Sequence, residues 1–173
     1  MSTLFYQASI PVLIHTLGNL GAILEKAAQH ADTLNIPAEE LLEARLAPDM
    51  FPFKRQIQIA TDHAKGIGAR LAGLDIPVYE DTEASFADLR ARIGKTVAFL
   101  ETIRPEQFEG TESREVKIQR RGTWVKFEGQ DYLFYFALPN FYFHVTTAYD
   151  ILRHRGVAIG KADFIGDIPS QPA

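Results

Sequence analysis

The side chains here with the most chemistry to offer are the five histidines; there is no cysteine. An imidazole titrates near neutral pH, so it can move a proton or, when neutral, bind a metal ion. His144 lies in Leu138–Gly156, which carries the start and stop signals of a helix. Pro139 is tolerated near the start, where the first N–H groups lack partners. Gly156 suits a left-handed stop, with Arg153, His154 and Arg155 at the negative end of the dipole. A spacing of four puts Asn140, His144 and Ala148 on one face of this helix, flanked by Tyr149 and Asp150. His63 lies four residues from both Ile59 and Ile67, at the border of a second apolar stripe. His15 falls off the main stripe of its segment. His30 and His154 sit near helix C-termini, where a cation is favoured and exposure is expected.

His63 and His144 are therefore the candidates for a shared site, as ligands of a divalent ion or as a general acid and base. Asn140, and Tyr149 beside it, would line the pocket or orient a ligand. Two imidazoles and an amide are a thin ligand set for a transition metal. The bland alternative is a pair of histidines at a bundle boundary, satisfied by ordinary hydrogen bonds. Asp62 precedes His63, but adjacent helical residues point in different directions. Without cysteine, disulfides, thiolate nucleophiles and zinc–thiolate sites are excluded. Gly18-Asn19-Leu20-Gly21 lies inside a helical pattern and is no phosphate loop. No serine has a nucleophile-elbow context. The aromatic residues Phe136, Phe141, Tyr142, Phe143 and Tyr149 read as core or interface.

Four amphipathic segments must position these residues. The first, about Thr3–Ala31, repeats Ile10, Leu13, Leu17, Leu20, Leu24 and Ala27 at helical steps, and is expected as one long helix kinked at Pro11. A short helix follows, opened by Asn35-Ile36-Pro37 and running through Arg45. The second long helix is expected from Pro52 to Gly73, with Asp49 as a nearby cap and with Gly66 and Gly68 either admitting a close neighbour or merely tolerated. The third follows Asp81-Thr82, carries Phe86, Leu89, Ile93, Val97 and Leu100, shows a Ser85/Asp88 capping pattern and ends before Pro105. The fourth ends at Gly156. Between the last two, residues 116–127 alternate around Gly122 and read as a β-hairpin, whose Trp124 and Phe127 are expected to pack on the helices. Residues 129–136 read as an aromatic connection, and Ile168–Ala173 as a loose tail. The architecture expected is all-α: a four-helix bundle with a small β-hairpin between the third and fourth helices.

Bulk properties narrow the function classes. A chain of 173 residues, 46% of them apolar, can bury a substantial core as one domain. A net charge of −4 argues against a nucleic-acid surface, and Lys117–Arg121 is too short a basic run to change that. No basic leader precedes the apolar N-terminus, and no apolar run approaches the ~20 residues of a membrane span. A cytoplasmic protein is expected.

Several stretches resemble an uncharacterised bacterial family, a domain of unknown function in the DinB/YfiT-like superfamily. They are Phe51-Pro52-Phe53 with Gln56, Gln58 and Asp62; Ala69-Arg70-Leu71-Ala72-Gly73; Leu138–Gly156; and Gly160-Lys161 with Asp163-Phe164 and Gly166. The resemblance covers most of residues 1–173 and implies a single four-helix-bundle domain, commonly a homodimer. In that superfamily a divalent metal, such as zinc or nickel, is often held by three histidines: one on the second helix and two, four apart, on the last. Some members are thiol-dependent transferases or isomerases. Placed on this sequence, those positions are His63, Asn140 and His144, so an amide stands where the third imidazole would be. Two functions follow from the resemblance: a metal- or thiol-dependent small-molecule enzyme, or a non-catalytic dimeric ligand-binding or stress-related protein that has lost the metal site.

Overall fold

The computed structural model describes residues 2–168 and opens on two helices where one kinked helix was expected: α1 (Ser2–Gln7) and α2 (Ile10–Leu34). Ser9 leaves helical geometry at φ −126° and ψ −79°. Pro11 sits in the first turn of α2, and its ring would clash with the carbonyl four residues back in an unbroken helix. The Ser9 hydroxyl donates to the carbonyls of Phe5 (2.9 Å) and Tyr6 (3.1 Å), satisfying the end of α1. Asn35, in the left-handed conformation, ends α2, and α3 (Ala38–Leu42) follows at once. By length and composition alone Leu4–Leu34 is apolar enough to cross a bilayer, a test that the buried core helix of a globular protein also passes. Here its Leu13, Leu17, Leu20 and Leu24 are buried in the core.

The next two long helices are α4 (Phe53–Ala72), closed by left-handed Gly73, and α5 (Phe86–Glu101). Pro52 occupies the N-cap position of α4, and Asp49 makes no cap bond there. Ser85 caps α5 by accepting from the Asp88 N–H at 3.1 Å, while Asp88 accepts from the Ala84 N–H. Gly68 faces close neighbours of α4. A Cβ there would lie 2.8 Å from Leu100 Cδ2 and 2.7 Å from Ile103 Cδ1, so the glycine admits a close approach.

Strands β1 (Glu115–Arg120) and β2 (Thr123–Glu128) pair antiparallel across the two-residue loop Arg121-Gly122. Both loop residues have positive φ, 48° and 81°, the combination a type I′ hairpin turn requires. Val116 pairs with Phe127 and Ile118 with Val125, and this face packs on the core. Trp124 departs from expectation: it is 66% exposed. Side chains alternate along a strand, so residues three apart cannot share a face, and Phe127 takes the inner one.

The stretch expected as a connection is helical. α6 (Gly129–Asp131) runs into a wider π-helical stretch (Tyr132–Ala137) and then α7 (Leu138–His154). Pro139 thus lies inside a continuous helical run and not at its start. A π-turn relaxes the register where the proline cannot donate. The Asn140 side-chain amide donates to the Phe136 carbonyl in this stretch, at 2.6 Å. Gly156 (φ 86°) ends α7, and α8 (Lys161–Ile165) folds back on α2.

The fold is mostly helical with one two-stranded antiparallel sheet. Its four longest helices have 16 to 25 residues, with several shorter helices beside them, more helical elements than the four long helices and one short one expected. α4 lies between α5 and α7, and α2 packs along α5. One buried apolar cluster joins all four. Of the expected loose tail, residues 169–173 lie outside the described part; Ile168 is exposed.

Candidate functional site

Helices α4 and α7 bring His63 and His144 together. Their ring centroids are 5.8 Å apart and their planes differ by 17°. The π-helical stretch contributes Phe136, whose ring meets His63 edge-on at 6.2 Å. His63 opens onto a cleft of about 730 Å³ between α4, the hairpin and the π-helical stretch, with Arg70, Trp124, Tyr132 and Phe136 among its walls.

Gln56, one turn into α4 and only 2% exposed, fixes the state of His144. Its side-chain nitrogen donates to the Phe51 carbonyl at 2.9 Å, which turns its oxygen toward His144 Nδ1 at 2.7 Å. An amide oxygen only accepts, so Nδ1 carries the proton and Nε2 carries the lone pair. His63 has no hydrogen-bond partner within the protein among the described residues. Both imidazoles are held neutral. Burial, reinforced by the Arg70 charge and opposed by Asp62, brings the His63 pKa down to about 4. Burial, then His63 and Arg55, brings His144 down to about 4 as well.

The other sequence candidates go elsewhere. Asn140 lies one turn before His144 with its amide nitrogen tied to the helix backbone, leaving Oδ1 uncommitted. Tyr149 does not join the pair; its ring packs edge-on against Phe164 of α8 at 5.8 Å. Five residues along a helix turn a side chain well away from its starting face, which separates Tyr149 from His144. His15 bonds the Ile165 carbonyl at 2.7 Å and ties α2 to the end of α8. His30 is half-buried, not exposed as expected, and its Nε2 is shielded without a partner among the described residues. His154 is exposed.

A second polar cluster, unforeseen from sequence, flanks the site. Arg92 of α5, 3% exposed, donates to Thr61 Oγ1 (2.7 Å), Asp62 (2.8 Å), Glu83 (3.0 Å) and the Glu80 carbonyl (3.0 Å). Lys65 reaches Asp62 at 2.8 Å and lies 3.9 Å above the Tyr79 ring. Burial pushes the Glu83 carboxyl up, but hydrogen bonds from Gln58 and Arg92 outweigh it and hold the group below the usual range. The sequence signal was an arginine in the stripe between Leu89 and Ile93, and a glutamine at 56 in the stripe of Ala60. A polar group on a buried stripe requires partners.

A metal needs more donors than the pair supplies. Asn140 Oδ1 is a weak ligand beside two imidazoles, and Asp62 is already engaged by Arg92 and Lys65. Among the described residues no group of three or more His, Asp or Glu is placed to hold an ion. These side chains do not fit a resident transition metal.

Comparisons with known proteins bear on the family and the fold. No curated protein is detectably similar in sequence. A crystal structure described as a DinB family member protein from Shewanella denitrificans is 36% identical, with a TM-score of 0.91 over 99% of this chain and 97% of that one. The profile of the family described as "Domain of unknown function (DUF1993)" matches residues 5–165. The chain therefore belongs to the DUF1993 family, and its fold is DinB-like.

Proposed function

We propose that this protein binds a small molecule in the cleft beside His63, with neutral His63 meeting the ligand at the cleft wall and neutral His144, which is not among the lining residues, stacked against it. The observation that carries this reading is the convergence of the two rings at 5.8 Å with Gln56 fixing the His144 tautomer. Imidazoles with pKa values near 4 are weak general bases at neutral pH. They are good acceptors for an N–H or O–H donor. That chemistry favours the ligand-binding reading over a metal-dependent enzyme, for which the donor set is short.

Trp124, the single tryptophan, stands at the cleft and reports on its occupancy. Benzamide, an aromatic ring with an N–H donor, is a suitable probe. Titration should quench Trp124, and His63→Ala should weaken binding about fivefold, the worth of one hydrogen bond, with a smaller loss in His144→Ala through the stacked ring. Unchanged affinity in both variants would overturn the reading. So would about one equivalent of zinc or nickel retained through dialysis and lost in His144→Ala, which would favour the metal-dependent enzyme.

A further inference from the structure

We infer that the cleft beside His63 takes a small aromatic anion whose acidic group is received by the guanidinium of Arg70. This names the ligand class for the site proposed above and rests on that reading.

Arg70 stands seven residues, two helical turns, after His63 and therefore on the same face of α4. A long helical side chain leans toward the N-terminus of its helix, which carries Arg70 back toward the imidazole. Gly66 lies in that path. A Cβ at position 66 would collide with Arg70 Nη1, so the bare backbone there is what lets the guanidinium lie down along the helix. Nη1 donates to the Tyr132 hydroxyl at 3.1 Å, and the guanidinium carbon lies 5.8 Å from the centre of the Tyr132 ring. The head group is thus held in place by a neutral partner.

Its charge is not matched by an acid. Among the described residues no carboxylate lies within 4.0 Å of the Arg70 guanidinium, although Arg70 is partly buried. The acids of the cleft are accounted for otherwise. Asp62 is shared by Arg92 and Lys65, each at 2.8 Å, and Asp75 is exposed at the rim. The other cation of the cleft, Lys117, is exposed and paired with Glu115 at 2.8 Å. A guanidinium has five N–H donors, and one is used here. A partly buried cation with spare donors favours a carboxylate, sulfonate or phosphate, for which its fork geometry is suited. The remaining walls are aromatic: Trp124, Tyr132 and Phe136. Arg70 also helps keep His63 neutral, so the imidazole beside the anion presents a lone pair or one N–H and adds no second cation.

The test compares benzoate with benzamide, which share one shape and differ in charge, at constant ionic strength with Trp124 fluorescence as the readout. Wild type should bind benzoate about tenfold or more tighter than benzamide, the range of a charge-assisted hydrogen bond. Arg70→Gln should bring the ratio of benzoate to benzamide affinity to about one. Gly66→Ala keeps the charge and adds helix propensity, yet should lower the ratio by displacing the guanidinium; it decides the matter if Arg70→Gln does not fold. Equal binding of the two probes to wild type, or an undiminished benzoate preference in both variants, would overturn the anion assignment while the cleft remained a binding site. If neither probe perturbs Trp124, the binding site and the anion assignment both fall.

Discussion

Arg92 and Gln56 show how single polar side chains organise the neighbourhood of the site. Arg92 is buried beneath the residues 80–83 segment and gathers Asp62, Asp81 and Glu83, while Asp62 stands next to His63. Removing a buried cation leaves its partner acids without compensation, which typically costs about 3–5 kcal/mol. Asp62 and Asp81 are partly solvated, so the lower end applies. Arg92→Ala should lower unfolding free energy by about 3 kcal/mol, read from the urea midpoint at unchanged m-value. A loss under about 1 kcal/mol would mean the cluster is solvated and structurally idle. At this scale the sequence was partly legible. His63 and His144 were visible because imidazoles on apolar stripes are conspicuous. Gln56 and Arg70 stood out only as residues that carry the family resemblance, and Arg92 did not, because their roles at the site depend on partners 12 or more residues away or across a helix pair. Tyr149 was placed near His144 in sequence, but helical rotation sends it to α8.

Among the elements, α4 matters most, since it carries Gln56, His63, Gly66, Gly68 and Arg70 and packs against both α5 and α7. Gly68→Val should test how closely α4 and its neighbours are fitted. The added atoms meet Leu100 and Ile103, and overpacking of this kind costs about 1–3 kcal/mol. A neutral or stabilising result in thermal melts would show that the contact yields easily. The long helices were legible from periodicity, and the hairpin from alternation around a glycine. The break at Ser9 and the π-helical stretch were not. Pro11 allows either a kink or a fresh start, and the choice is made by the Ser9 hydroxyl bonding back to α1. Residues 132–137 have no helical stripe of their own to detect. Their helical state is set by contacts on both sides, Tyr132 and Leu133 in the core and Phe136 against His63 and Phe127. Trp124 was misplaced because composition favours burial, whereas strand parity assigns it outward.

For the whole molecule, the two lowered imidazole pKa values link the site to folding. In the unfolded chain each histidine binds a proton below about 6.5, whereas in the fold each stays neutral until about pH 4. The unfolded state therefore holds more protons between those values, and stability rises with pH. The contribution is fully present above about 6.5 and is lost progressively as pH falls towards 4. Denaturant melts should show stability falling in that window by up to about 3 kcal/mol per imidazole, and a His63→Phe/His144→Phe double variant should lose most of that slope. A flat profile in wild type, or an unaltered slope in the double variant, would assign the pH response to other groups.

His63 and His144 form a neutral pair, and His144 carries its proton on Nδ1 with Nε2 unpartnered among the described residues. Long-range proton–nitrogen NMR of the ring nitrogens, followed through a pH titration, measures this directly. His144 should show a protonated Nδ1 and an unprotonated Nε2 at pH 7, and both rings should titrate below about pH 5. Titration of both rings near 6.5, or a His144 proton residing on Nε2, would contradict the account.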